Sequence, residues 1–372
     1  MHLFKSSVIA ATLLSAAATG TVLAQSPDEA LATLSDQVLS TGPGGEEPIP
    51  AADITLSEEE LAQISDMGAT AAIVMHYGGN DWAQAQIDGL NQQFEEMGIE
   101  VIAVTDAGFA PEKQVSDIET ILAQNPDIIV SIPTDPVATA DAYRQAAAQG
   151  VELVFMDNVP ANMEAGTDYV SVVSADNYGN GVASAHLMAK ALDGAGQIGL
   201  VFHAADFFVT QQRYDAFKTT ITENYPEIEI VDEQGIAGPD FTGQAERAAS
   251  AMMTANPAID GIWAVWDVPA EGVIAAARAN GRDDLVITTI DLGENVAIDM
   301  ARGGYIKGLG AQQPFAQGQT EAKLAGYALL GKEAPAYVAL PALPVEQSNL
   351  LDAWETVYSQ PAPDTVVQSM NQ

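Results

Sequence analysis

The chain has 372 residues, a length typical of about two domains, and 48% of its residues are apolar, enough for large hydrophobic cores. It carries 51 acidic and 13 basic side chains, a formal net charge of −38, and such a surface repels the phosphates of nucleic acids and anionic lipids. The absence of cysteine from the sequence excludes disulfides, thiolate chemistry and a lipidated cysteine.

The first residues have the pattern of an export signal. Lys5 precedes an apolar run over residues 7–18, and Val22, Leu23 and Ala24 provide a small-residue cleavage pattern. The run is shorter than the roughly 20 residues that a spanning helix needs, and no later stretch is long enough. We therefore predict a signal peptide over residues 1–24, cleaved near Ala24, and a mature protein in the periplasm of a double-membraned bacterium.

Residues 25–68 differ in composition from the rest of the chain. They are rich in Pro, Gly, Ser and acidic residues, with the run Gly42 to Pro48 at their centre. This composition predicts an acidic flexible leader, with one short helix near residues 57–64.

From residue 71 onward, short β-rich runs alternate with segments of helical spacing. Leu90, Phe94 and Met97, for example, share one helix face. The predicted strands are residues 71–75, 101–105, 128–132, 153–156, 169–173, 198–202, 228–231, 261–265, 286–290 and 306–309. Such alternation predicts parallel sheets covered by helices, and ten strands are many for one sheet. We predict an α/β fold of two similar doubly wound parallel-sheet lobes that divide near Asp176.

Ligands of such sheets bind beyond the carboxyl ends of the strands, so polar residues there are the candidate site. After the first strand, Asn80 could pair with sugar hydroxyls while the Trp82 ring lies on sugar C–H groups. The glycines before them lack the spacing of a P-loop or a dinucleotide-binding motif. Asp135 follows the third strand in a Pro-Thr-Asp-Pro turn, where its alternative role is a helix cap.

Further acidic and amide residues follow other strands. Asp157 and Asn158 come after the fourth strand and Asp291 after the ninth, as ligand acceptors, metal ligands or helix caps. Because no phosphate-binding motif accompanies them, we predict no metal site.

Three more candidates come from the second half of the chain. Arg213 begins a helix in a chain poor in cations, and its guanidinium could pair with a strand-end carboxylate or form a surface ion pair. Trp266 and Asp267 follow the strand at 261–265, where Trp266 is a candidate ligand contact or a buried structural ring.

Catalysis is not indicated by any motif. The exported chain would keep His76, His186 and His203, and the sequence contains no GxSxG or HExxH pattern. We predict that the protein is not an enzyme and binds no cofactor.

Taken in order, these residues resemble the ribose-binding-protein branch of the type I periplasmic binding proteins, from residue 71 to about Pro341. The matching motifs are Asn80-Asp81-Trp82 with Asp88-Gly89, Pro133-Thr134-Asp135, Phe155-Met156-Asp157, Ser174-Ala175-Asp176-Asn177, Arg213 to Phe217, Trp266-Asp267, Ile290-Asp291 and Ala311-Gln312-Gln313-Pro314. The resemblance implies an N-terminal lobe of residues 69–175 plus 313–341, a C-terminal lobe of residues 176–312 plus 342–358, and a tail of residues 359–372. Three crossovers, near Ala175, Gln312 and Pro341, would let the lobes close on a ligand as a hinge.

The resemblance also implies the residues and partners of the site. The ligand-binding residues would be Asn80, Trp82, Asp135, Asp157, Asn158, Asn177, Arg213, Trp266, Asp267, Asp291 and Gln312. The protein would be a monomer that delivers its ligand to the membrane permease of an ABC importer.

Three positions depart from the family pattern. Asn158 stands where pentose and hexose binders have arginine, Trp266 where they have asparagine, and Ala83 where a second aromatic residue is common. One arginine lost and one ring gained predict a small neutral polyhydroxylated ligand, such as a pentose, a tetritol or another polyol, instead of ribose.

The predicted function is thus capture of a sugar or polyol between two lobes. The alternatives are a sensor binding protein for chemotaxis or signalling, an exported sugar-processing enzyme and, as cargo, a small amine or amino acid. The signal peptide, the charge and the lack of a basic N-terminal motif argue against a sugar-responsive DNA regulator.

Overall fold

The computed structural model describes residues 26–371, so the predicted signal peptide lies outside the described residues. The strands are β1 Ile49–Pro50, β2 Thr70–Met75, β3 Glu100–Asp106, β4 Ile128–Ser131, β5 Glu152–Met156, β6 Ser171–Ala175, β7 Gly196–His203, β8 Ile228–Ile236, β9 Gly261–Ala264, β10 Val286–Ile290, β11 Ile306–Ala311, β12 Tyr337–Leu340 and β13 Leu343–Val345. The α-helices are α1 Pro27–Leu34, α2 Glu58–Met67, α3 Asp81–Glu96, α4 Pro111–Leu122, α5 Ala140–Ala148, α6 Asn177–Ala191, α7 Phe208–Asn224, α8 Phe241–Ala255, α9 Asp267–Ala279, α10 Glu294–Ala301, α11 Pro314–Leu329, α12 Leu350–Tyr358 and α13 Asp364–Ser369.

These strands form two sheets with the same internal order. The first sheet runs β1-β12-β6-β5-β4-β2-β3 and the second β13-β11-β10-β9-β7-β8, so β5 of the first occupies the place of β10 in the second. Among the described strands, every pairing is parallel except that of β11 with β13. Helices pack on the sheets, and the predicted α/β fold class is confirmed. We call the first sheet and its helices the N-terminal lobe and the second the C-terminal lobe.

The chain passes between the sheets at three places: between β6 and α6, between β11 and α11, and between β12 and β13. Hydrogen bonds join these crossovers. The backbone N–H of Asp176 donates to the carbonyl of Leu340 at 2.7 Å, and Gln313 Nε2 donates to the carbonyl of Pro341 at 3.1 Å. The crossovers therefore lie side by side, as a hinge requires.

Local sequence explains the elements well. Residues 71–75 of β2 are all buried, as expected for a strand of a parallel sheet covered on both faces. Ser57 begins α2 with a reciprocal capping box with Glu60, and Gly68 ends it in the left-handed conformation at φ 62°. Gly89 allows α3 to touch α11, because a Cβ there would lie 2.1 Å from the carbonyl oxygen of Phe315.

The prediction of a flexible leader is wrong, because its apolar residues find tertiary partners. Leu31 and Leu34 of α1 pack against Ala183 and Leu187 of α6 in the C-terminal lobe, and β1 extends the sheet of the N-terminal lobe beside β12.

The fifth predicted strand, residues 169–173, lies at residues 171–175. The predicted tail contains α13, whose Val366 is buried. Among residues 26–371, the helices are too short or too polar to cross a membrane.

Candidate functional site

A cavity lies between the lobes, beyond the carboxyl ends of the strands of both sheets. Its volume is about 70 Å³. One water takes about 10–15 Å³ on a comparable measure, so the space suits one small molecule and not a polymer. The lining residues are His76, Tyr77, Asn80, Trp82, Phe109, Ile132 and Asp157 from the N-terminal lobe and His203, Phe207, Val209, Thr210, Arg213, Phe241, Trp266, Val268, Asp291 and Gln312 from the C-terminal lobe.

Two carboxylates line the cavity from equivalent positions in the two lobes. Asp157 directly follows β5 and Asp291 directly follows β10. Both adopt the left-handed backbone conformation, with φ of 55° and 71°. Aspartate tolerates this conformation better than most residues, and it turns the chain sharply at the strand end.

Arg213 of α7 is the cation of the cavity. Its side chain is 5% exposed, and its Nη1 lies 3.3 Å from Asp291 Oδ2. Nη1 also donates to the carbonyl of Val265 at 3.4 Å, while Gln312 Nε2 donates to Asp291 Oδ1 at 2.7 Å. Each carboxylate oxygen of Asp291 therefore accepts a hydrogen bond, and one of the two donors, Arg213, is charged.

A chain of hydrogen bonds through the first crossover joins the charged residues of the two lobes. Arg213 Nε donates to Asn177 Oδ1 at 2.8 Å, and Asn177 Nδ2 donates to Ser174 Oγ at 3.0 Å. Ser174 Oγ in turn donates to Asp157 Oδ1 at 2.7 Å, and Gln317 Nε2 approaches the same oxygen at 3.3 Å. Since Ser174 is the second-last residue of β6 and Asn177 begins α6, the positions of both charged groups depend on the hinge.

Aromatic rings form much of the wall. The ring of Phe109 in the N-terminal lobe meets that of Phe241 in the C-terminal lobe edge to face, with centroids 5.3 Å apart. The ring of His76 stacks on that of Phe207 at 5.9 Å, and Trp266 packs edge to face on Phe241 at 4.9 Å. Rings from both lobes thus close the cavity.

Burial shifts the pKa of the titratable groups. It raises the pKa of Asp157 to about 6, although the hydrogen bond from Ser174 and the charge of Arg213 act in the opposite direction. It lowers the pKa of His76 to about 3 and that of His203 to about 4, so both rings are neutral at pH 7.

Within the described chain, His76 Nδ1, Trp82 Nε1 and Gln312 Oε1 are buried without a hydrogen-bond partner. At the cavity wall these three atoms can form hydrogen bonds with a ligand.

Comparison with known proteins identifies the family. Residues 71–333 match the model of a family described as the periplasmic binding protein domain. The chain belongs to this family. The match covers most of both lobes, and it confirms the family resemblance predicted from the sequence.

Two relatives of this chain are named as import binding proteins. The D-apiose import binding protein of Actinobacillus succinogenes is 26% identical over 248 residues, which cover 67% of this chain and 78% of that protein. The ribose import binding protein of Bacillus subtilis is 26% identical over 253 residues, covering 68% and 79%. The crystal structure of an ABC sugar transporter subunit from Rhodobacter sphaeroides superimposes with a TM-score of 0.66 at 26% identity, covering 76% and 99%.

The structure brings seven of the predicted site residues of this periplasmic binding protein domain to the cavity wall. They are Asn80, Trp82, Asp157, Arg213, Trp266, Asp291 and Gln312. Asn80 also begins α3, because its Oδ1 accepts the backbone N–H of Ala83 at 3.0 Å.

Four predicted site residues do not line the cavity. Asp135 caps its own turn by accepting the backbone N–H groups of residues 137 and 138, at 2.8 and 2.7 Å. Asn158 is buried beside the wall, and Asn177 lies behind Arg213. Asp267 accepts the backbone N–H of Val268 at 2.8 Å and lies close to residue 293. Its burial raises its pKa well above the usual range, and the charge of Asp291 adds to this.

The sequence analysis missed the aromatic share of the site. Phe109, Phe207 and Phe241 follow strands β3, β7 and β8, His203 is the last residue of β7, and His76 follows β2. These rings were overlooked because the candidates considered near strand ends were polar residues and two tryptophans, Trp82 and Trp266. An aromatic residue after each of several successive strands is the signal that could have found them. No cluster of three or more His, Asp or Glu residues that could hold a metal occurs within residues 26–371.

Proposed function

We propose that this chain is the periplasmic solute-binding component of an ABC importer and that it captures a small polyhydroxylated ligand, a sugar or polyol, in the cavity between its lobes. The observation that carries the proposal is the cavity between the lobes at the carboxyl ends of both sheets. Aromatic rings from both lobes would cover the C–H faces of the ligand, while Asp157, Arg213, Asp291 and Gln312 would bind its hydroxyls. The relatives named as ribose and D-apiose import binding proteins support this class of ligand.

The lobes close on the ligand and open to release it. In this structure Asp81 of α3 accepts the backbone N–H of Glu294 at the start of α10, at 2.7 Å across the cleft. This bond satisfies a free N–H at a helix N-terminus, and it would break when the lobes separate. Because the ligand touches both lobes only in the closed form, its binding shifts the population toward that form, which the permease recognises.

Binding is the whole activity in this proposal. The carboxylates hold and orient hydroxyls, and no step of bond cleavage is assigned to them. The protein would be exported by residues 1–24 and would act as a monomer that releases the ligand unchanged.

A thermal-shift screen of the mature protein against pentoses, hexoses, polyols, amines and amino acids tests this function. A ligand that binds only the folded state raises the melting temperature. We expect a shift with at least one sugar, polyol or amino derivative of these, and recovery of that compound unchanged after incubation. Shifts with amino acids alone would contradict the ligand class, and conversion of the compound would contradict the assignment as a binding protein.

A further inference from the structure

The charges of the cavity do not balance. It is lined by two carboxylates, Asp157 and Asp291, and by one guanidinium, Arg213, while burial lowers the pKa of His76 and His203 and keeps both rings neutral at pH 7. Arg213 is bound to Asp291 at 3.3 Å. The cavity therefore has one carboxylate more than it has cations.

Asp157 is the carboxylate that forms no ion pair, although the charge of Arg213 acts on it from a distance. Its recorded hydrogen bonds within residues 26–371 come from Ser174 and Gln317, which are both neutral, and its side chain is buried. Glu321 lies nearby in α11, and its burial raises its pKa well above the usual range, which favours a neutral carboxyl group that does not compensate the charge of Asp157. A buried carboxylate that lacks a charged partner is costly, and a ligand cation would remove that cost.

Two further observations indicate a donor-rich, cationic ligand. Gln312 Oε1 is a buried acceptor without a partner, so it adds to the surplus of acceptors. The aromatic side chains of Trp82, Phe207 and Trp266 line the same space, and the faces of such rings attract cations within about 6 Å.

We propose that the preferred ligand is a sugar or polyol in which an amino group replaces one hydroxyl, with its ammonium group bound to Asp157. This inference rests on the proposed function. It restricts the ligand class from sugars and polyols in general to those that carry an amino group.

Isothermal titration calorimetry at pH 7.5 with matched pairs of compounds tests the inference. Each pair consists of an amino sugar or aminocyclitol and its parent hydroxyl compound, with the N-acetylated form as a third member that keeps the shape but loses the charge. We expect one amine to bind at least about tenfold more tightly than its parent, since hydrogen bonds to charged groups exceed neutral ones by about that factor. Asp157→Asn should remove the preference, while Asp215→Asn, an exposed carboxylate on the same helix as Arg213, should keep it.

The outcomes separate the inference from the proposed function. A parent compound that binds as tightly as its amine, or a preference that survives in Asp157→Asn, would overturn the inference and leave the proposed function standing. Failure of every sugar, polyol and amine to bind would overturn both.

A second inference concerns the N-terminal strap, by which we mean residues 26–50. The strap lies outside the part of the chain that the family model matches, residues 71–333. Its first part, α1, packs on α6 of the C-terminal lobe, and its last part, β1, pairs with β12 of the N-terminal lobe. Between them, the backbone N–H groups of Leu39 and Ser40 donate to the carboxylate of Asp176 at 2.8 and 2.9 Å.

These contacts place the strap across the hinge. Asp176 belongs to the first crossover and is fully buried, and Ser40 Oγ both donates to its carboxylate at 2.8 Å and accepts the backbone N–H of Tyr178 at 2.9 Å. Gln212 of α7 binds the carbonyl of Thr41 at 3.0 Å. A rotation of one lobe against the other must therefore stretch or detach the strap.

We infer that the strap restrains opening of the lobes and thereby raises ligand affinity. Small-angle X-ray scattering of the ligand-free protein tests this in a deletion of residues 26–40 and, in case that variant does not fold, in Leu31→Ser/Leu34→Ser and Ser40→Ala. We expect the strap variants to have a larger radius of gyration than the wild type without ligand and the same radius at saturation with the best compound of the thermal-shift screen. Their Kd for that compound should be higher by about tenfold, which is the effect of losing a hydrogen bond to a charged group. Leu351→Ser, at an exposed apolar residue of α12, is the control. A wild-type radius and Kd in the folded strap variants would refute the inference.

Discussion

Replacement of Arg213 by alanine removes the cation on which the site is built. The guanidinium is bound to Asp291, Asn177 and the carbonyl of Val265, and its side chain is 5% exposed. Its loss leaves Asp291 with Gln312 as its neutral donor. Three buried oxygens lose the hydrogen bond from Arg213, namely Asp291 Oδ2, Asn177 Oδ1 and the carbonyl oxygen of Val265. Removal of one partner from a buried ion pair lowers the free energy of unfolding by about 3–5 kcal/mol.

The same change weakens binding. Truncating one member of a buried, hydrogen-bonded charge pair at a binding surface costs about 2–5 kcal/mol, which raises Kd by about 30-fold to about 5,000-fold. Calorimetric titration with the best ligand of the screen gives Kd, and urea denaturation gives the free energy of unfolding. Arg247→Ala is the matched control, because Arg247 pairs at 3.5 Å with Asp240 on the surface, where both side chains are more than 60% exposed.

The control should change the free energy of unfolding by less than about 1 kcal/mol and leave Kd unaltered. A folded Arg213→Ala protein with the Kd of the wild type would refute the role given to this residue and to the Arg213–Asp291 pair.

Three other variants test the surroundings of this pair. Asn177→Ala should lower the free energy of unfolding by about 1–3 kcal/mol and raise Kd, because it leaves Arg213 Nε without its acceptor. Urea denaturation measures the first effect and calorimetry the second. An unchanged Kd would contradict a positioning role for Asn177. Asp157→Asn should stabilise the ligand-free protein at pH 7 by up to about 3 kcal/mol. The folded-state pKa of Asp157 is raised to about 6, so the wild type loses stability as the pH rises from about 4 to about 6 and the variant does not. The wild type should lose free energy of unfolding between pH 7 and pH 5, because the lowered pKa of His76 keeps the folded state from taking up a proton that the unfolded state binds. His76→Gln should make this loss smaller by about 2 kcal/mol. Equal losses in both proteins would contradict this.

Much of the architecture could be predicted because the relevant signals are local. Residues 71–75 are apolar throughout, residues 286–290 are β-branched throughout, and both runs become buried strands of parallel sheets. Polar residues that directly follow such a strand, such as Asp157 and Asp291, lie at the carboxyl edge of the sheet. That edge holds the cavity.

The remainder depends on contacts between distant parts of the chain. Asp157 and Asn158 are neighbours, yet one lines the cavity and the other does not, and no local pattern separates them. The strap has the composition of a disordered segment, but Asp176, more than 130 residues away, supplies the acceptor that orders Leu39 and Ser40. The wall formed by Phe109 and Phe241 exists only because the lobes meet.

The most direct test of the central claim is a crystal structure of the mature protein with the compound that gives the largest thermal shift. The account predicts that the compound lies between the rings of Trp82 and Trp266, within hydrogen-bond distance of Asp157 and Arg213, and in contact with both lobes. Density for the compound at any other place, with the cavity filled by water alone, would contradict the assignment of this cavity as the binding site.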